Sequence, residues 1–143
     1  MFCFCSCDKY QFAGKIGELV EKIFKFNNSM RICCIMESSG KVLSYMTDLP
    51  KSLVDSILSK VLSIKLETMS TAKELGFDAS KELTFKTDEH VIFMYDILPG
   101  YYFIAVFEMD EVNSLFFSGT KFISANEVEL LDLRKYLEEG YRY

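Results

Sequence analysis

Three cysteines alternate near the N terminus, Cys3, Cys5 and Cys7, and two more are adjacent, Cys33 and Cys34. Thiolates bind soft metals and attack electrophiles, so these five side chains are the first to test for chemistry. A structural zinc knuckle takes paired ligands two to four residues apart plus a second pair, and simple alternation does not supply that. Acylation is another chemistry open to an N-terminal thiol cluster, and a loosely packed chain end is the plainer reading. Cys33 and Cys34 fall in an apolar run that reads as a strand, where neighbours point to opposite faces; buried small hydrophobes are expected there. A nucleophilic cysteine needs a base. The single histidine, His90, begins another apolar run, and nothing in the sequence brings it beside a thiol. It reads as a solvated turn histidine.

Carboxylates are abundant at Asp88-Glu89, Glu108 to Glu111 and Glu138-Glu139, yet they occupy turns or helix ends, whereas a general acid and base must converge in a cleft. Neither G-x-x-x-x-G-K-[ST] nor G-x-G-x-x-G occurs, so no phosphate-cradling loop is present. The reading assigns no catalytic, cofactor-binding or metal-binding residue. A chain that is not an enzyme and carries no cofactor is expected.

Composition narrows the partners. The 143 residues fit one domain, half of them are hydrophobic, and the aromatic content is high, so a substantial core can form. A net charge of −5 with Lys spread beside acids, as in Lys73-Glu74 and Lys81-Glu82, leaves no basic stripe for nucleic acid. The odd cysteine count lacks the framework of a secreted scaffold, which points to a reducing cytoplasm. The first seven residues are too short for a signal peptide, and no apolar run reaches the ~18 residues of a transmembrane span.

The elements that would position these residues follow from periodicity. Phe12, Ile16, Leu19, Val20, Ile23 and Phe24 recur at helical spacing from Gln11 to Phe26, and Asn27-Asn28-Ser29 ends that helix. Met30 to Glu37 and Lys41 to Met46 read as a β-hairpin about Ser38-Ser39-Gly40. Asp48 is placed to cap a long helix from Pro50 to about Glu74, closed by Gly76. Glu82 to Lys86, His90 to Asp96 and Tyr101 to Glu108 read as an antiparallel meander, with turns at Thr87-Asp88-Glu89 and Leu98-Pro99-Gly100. Glu111 to Phe117 reads as a short helix. Ser124 with Glu127 forms a capping-box pattern for a last helix bearing Val128, Leu131 and Leu137. The expected fold class is α/β (α+β): a five-stranded antiparallel sheet in the order α-β-β-α-β-β-β-α, covered by helices. Residues 1–10 read as a Cys-rich extension and residues 11–143 as a single domain, and deleting Met1 to Lys9 is expected to leave folding and dimerisation nearly unchanged.

The run Ile32-Cys-Cys-Ile-Met-Glu-Ser-Ser-Gly-Lys-Val-Leu43, the helix after Pro50 and Tyr101-Tyr-Phe-Ile-Ala-Val-Phe107 resemble a roadblock-type (dynein light chain) domain of profilin-like fold. The resemblance spans roughly Gln11 to Glu108. It implies a dimerising platform, homo- or heterodimeric, that serves a small Ras-like GTPase or a multiprotein signalling or transport assembly; any GTPase would be the partner. The long helix supports a contact of this kind. Its apolar residues cover more than half the circumference, while a helix resting on a sheet needs a stripe of about 100°. Leu53, Ile57 and Ile64 are assigned to the sheet. Val54, Leu58 and Leu62 are assigned to the partner, and with Lys65 and the adjoining-strand residue Phe85 they form the expected dimer interface. The competing expectation is a PAS- or GAF-like sensor holding a small apolar ligand between sheet and helices.

Overall fold

A computed structural model describes residues 2–5, 11–76 and 81–140. The elements in chain order are β1 (Phe2–Cys5), α1 (Gln11–Phe26), β2 (Met30–Glu37), β3 (Val42–Thr47), α2 (Lys51–Glu74), β4 (Glu82–Lys86), β5 (His90–Leu98), β6 (Tyr101–Glu108), α3 (Glu111–Leu115), α4 (Gly119–Ala125) and α5 (Glu127–Gly140). The five strands expected from the alternation are β2 to β6, all paired antiparallel, and β1 adds a sixth at one edge in the order β1-β3-β2-β6-β5-β4.

Strand alternation divides the apolar residues between two layers. Cys33, Ile35, Phe93, Phe103 and Phe107 join Ile16, Val20 and Ile23 of α1 and Leu133 of α5 in one core. Ile32, Cys34, Met94 and Ile104 join Val54, Leu58 and Val61 of α2 in the other. Because β6 lies inside the sheet with helices on both faces, every residue from Tyr101 to Phe107 is buried, which explains its unbroken apolar run.

Several local expectations are corrected. The N terminus is not a loose end over Phe2–Cys5, which pairs with Ser44 to Thr47 of β3 and so covers a backbone edge that would otherwise lack partners. Cys7 lies outside the described residues. Asp48 does not cap α2: Pro50 occupies the cap without a side-chain bond, and Asp48 instead accepts an ion pair from Arg31 at 2.9 Å. Gly76 does end the helix as expected, with φ +78°.

The Ser124–Glu127 capping box is also unused. Ser124 lies within α4, whose cap is Ser118, accepting from the Lys121 N–H. The break before α5 belongs to Asn126, buried, which donates to the Phe122 carbonyl at 2.8 Å and accepts from Asn27 at 3.1 Å. A long-range amide bond to the end of α1 therefore decides a boundary that local pattern assigned elsewhere. α4 itself was not foreseen. Its Phe122, with Phe117, packs among the rings of Phe93, Phe103 and Phe107 at centroid distances of 5.1–5.9 Å, so the segment before α5 is core material. Among the described residues no helix is long and apolar enough to cross a membrane.

Candidate interaction surface

The groups that could have done chemistry are held apart. Cys33 and Cys34 are fully buried on opposite faces of β2, and burial pushes both thiols well above their ordinary 9.0. The protonated, inert form is the one favoured there. His90 sits at the start of β5, where its backbone N–H donates to the Thr87 hydroxyl and its carbonyl accepts from the Thr87 N–H. It closes a turn. Among the described residues no three His, Cys, Asp or Glu side chains cluster as metal ligands.

Helix α2 carries the surface of interest, and its faces differ in part from the expected ones. Val54 and Leu58 are buried against the sheet with Val61, and Lys65 is buried on the same face, so these assigned interface residues are unavailable to a partner. Leu62 is half-buried against that core, where its side chain approaches Gly40. A 3.6-residue period identifies an apolar arc, but two flanks of one wide arc look alike until the sheet is in place.

Lys65 settles the rotation. Its Nζ lies 2.9 Å from the Asp96 carboxylate and 5.6 Å from the Tyr102 ring, so the stem lies in the core while the ammonium meets a charge partner at the sheet margin. Burial, with Asp96 second, raises the Tyr102 pKa; burial, then Asp55 and Cys34, raises that of Tyr45 beneath the same helix.

Leu53, placed on the sheet side by sequence, is 46% exposed, while Leu66 and Leu75 are 48% and 65% exposed. Ile57 is half-buried and packs against the α2-side core, as assigned, and Ile64 is half-buried. Among the described residues β4 lies at the end of the sheet, with β5 as its neighbouring strand. Its Leu83 and Phe85 pair with Met94 and Ile92 of the α2-side core, which places both on the same sheet face as α2. Phe85 remains half-buried. An apolar helix flank and the terminal strand of the described sheet thus lie on one sheet face.

The sequence matches no protein-family model and no curated protein. Solved structures match throughout. MglB in a tetrameric arrangement superposes with a TM-score of 0.71 at 18% identity, covering 91% of this chain and 93% of that one. The gliding protein MglB from Thermus thermophilus gives 0.70 at 18% identity with the same coverage. A Roadblock/LC7 domain from Streptomyces avermitilis gives 0.67 at 12% identity, covering 85% of this chain and 96% of that one. The chain has the roadblock fold.

Within this roadblock fold, Val54, Leu58 and Lys65 of the expected interface are buried in the core under α2, whereas Leu53, Leu66 and Leu75 of the same segment are exposed. Leu66 was visible as part of the wide arc, and Leu75 stood just before the closing glycine. A second group went unnoticed: Val112, Leu115 and Phe116 on and beside α3, each at least 64% exposed. Spacing of 3 and 4 residues was its signal.

Proposed function

We propose that this chain is a non-enzymatic adaptor that dimerises through α2 and β4, as homodimer or with a related chain, and offers the composite surface to a small Ras-like GTPase or to a multiprotein assembly in the cytoplasm. The observation that carries the reading is the exposure of Leu53 on α2, together with the position of β4 as the terminal strand among the described residues and of its Leu83 on the α2 face of the sheet. Exposed strand edges and apolar helix flanks are costly to leave bare, and a two-fold partner covers both at once. Likeness to MglB, solved in a tetrameric arrangement, supports an assembling role.

Sedimentation tests it directly. Wild type is expected to be a dimer at micromolar concentration, and Leu53→Glu a folded monomer with an unchanged circular dichroism spectrum. Leu58→Glu, by contrast, places a carboxylate in the core and is expected to lose the fold. A wild type that stays monomeric at high micromolar concentration overturns the dimer.

A further inference from the structure

Helix α3 is short, yet both its ends are fixed. Asp110 caps it, accepting from the Asn113 N–H at 2.7 Å and side chain at 3.1 Å, while the Met109 N–H donates to the Glu89 carbonyl at 2.8 Å. Ser114 is buried and donates to the Glu111 carbonyl. Phe117, immediately beyond, stacks against Phe107 at 5.1 Å, and its carbonyl accepts from Lys86 at 3.1 Å. These anchors turn Phe117 inward and hold the opposite face outward, where Val112, Leu115 and Phe116 are 64%, 69% and 75% exposed. A surface helix ordinarily shows the reverse polarity.

A groove runs beside this face, lined by Ser29, Met109, Asn113, Phe116 and Phe117 with Glu108 and Asp110 at its rim. Its charged lining residues are the carboxylates Glu108 and Asp110, and Glu111 follows in the first turn of α3; of the nearby cations, Arg31 is bonded to Glu108 and Asp48 and Lys86 to the Phe117 carbonyl. Arg31 is shared between Asp48 at 2.9 Å and Glu108 at 3.2 Å, and Asp110 meets only neutral donors in its cap. Carboxylates are in excess beside fixed apolar side chains.

We infer that α3 and this groove are a docking site for a basic, amphipathic helical segment of another protein, distinct from the α2–β4 surface. Its apolar residues pack on Val112, Leu115 and Phe116, and its Lys or Arg side chains face Glu108, Asp110 and Glu111. Charge complementarity selects this occupant. A second copy would bring the same carboxylates face to face, and an anionic membrane would repel both the rim and a chain of net charge −5. Because α3 is anchored before binding, little ordering is needed to form the contact.

Fluorescence anisotropy with a labelled 18-residue Leu/Lys amphipathic helical peptide tests the inference on the full chain, with a Leu/Glu peptide of the same pattern as control. The Leu/Lys peptide is expected to bind, Phe116→Ser and the double variant Glu108→Gln/Glu111→Gln each to weaken it at least tenfold, and Leu53→Glu on α2 to leave it unchanged. Equal binding of both peptides, or indifference to Phe116→Ser, overturns the site. So does a shift in sedimentation of Phe116→Ser, which would mean self-association, or binding of wild type to vesicles containing phosphatidylserine. A large fall in melting temperature for Phe116→Ser also overturns it, because the side chain would then be structural. Failure of the α2 dimer leaves this result intact.

Discussion

Gly119 opens α4 where a side chain has no room. A Cβ there would lie 2.6 Å from Phe93 and 2.7 Å from the Glu82 carboxylate. The carboxylate can swing away, whereas Phe93 is fully buried among the rings of Phe117 and Phe122. Gly119→Ala is therefore expected to lower stability by about 1–3 kcal/mol, the range for forced overpacking, read as a lower urea midpoint with an unchanged slope. The buried thiols make a second, pH-dependent prediction. Their folded pKa values lie above the ordinary 9.0, so the unfolded chain releases protons first as pH rises. Their stabilising contribution is complete below about pH 9 and declines above it. Melting temperature is expected to fall between about pH 9 and 11, and less steeply in Cys34→Val; identical slopes would assign the alkaline loss to other groups.

At the scale of elements, the two sheet edges are managed differently. Among the described residues β3 has β1 along its outer side, while β4 is the last strand of the sheet. Val42–Thr47 is otherwise an apolar strand with almost every residue buried, the kind of edge that recruits other strands when bare. The sequence reads the N-terminal segment as dispensable, whereas Phe2–Cys5 lies along that edge of β3. Deleting residues 1–10 is expected to leave helix and strand content near wild type while producing higher oligomers on size-exclusion chromatography as concentration rises. A truncated chain that elutes with the same state as the full chain would show that β3 needs no cover.

Across the whole molecule, the two helical layers have separate tasks. The α1–α4–α5 layer completes an aromatic core, and the α2 layer closes the other face while leaving Leu53, Leu66 and Leu75 uncovered. Nucleotide chemistry has no anchor in the sequence, which lacks a phosphate-cradling loop. The purified chain is therefore expected to release no phosphate from GTP above background in a malachite green assay; turnover that copurifies with the protein and persists in Leu53→Glu would identify an enzyme. Changed turnover by an added GTPase would agree with the adaptor reading.

Much of this architecture was legible from local pattern. Periods of 2 and 3.6 residues located β2 to β6, α1 and α2, and turn chemistry at Ser38-Ser39-Gly40, Thr87-Asp88-Glu89 and Gly76 separated them, because these signals depend on neighbours a few residues apart. What they report is that a face is apolar, not what covers it. Val54 and Leu53 are adjacent members of one arc, and only the sheet, with Asp96 waiting for Lys65, turned the first inward and left the second out. Phe116 and Phe117 are the same residue type side by side. Ring contacts with Phe93 and Phe107, from strands distant in sequence, hold one half-buried against the core, while the other is exposed. The pairing of Phe2–Cys5 with β3 and the Asn27–Asn126 bond, 99 residues apart, likewise join segments whose local sequence carries no record of the partner. The sequence thus determined which elements exist and that α2 has more apolar surface than one sheet needs; the tertiary structure decided which side chains that surplus comprises, since burial is a property of contacts between distant segments.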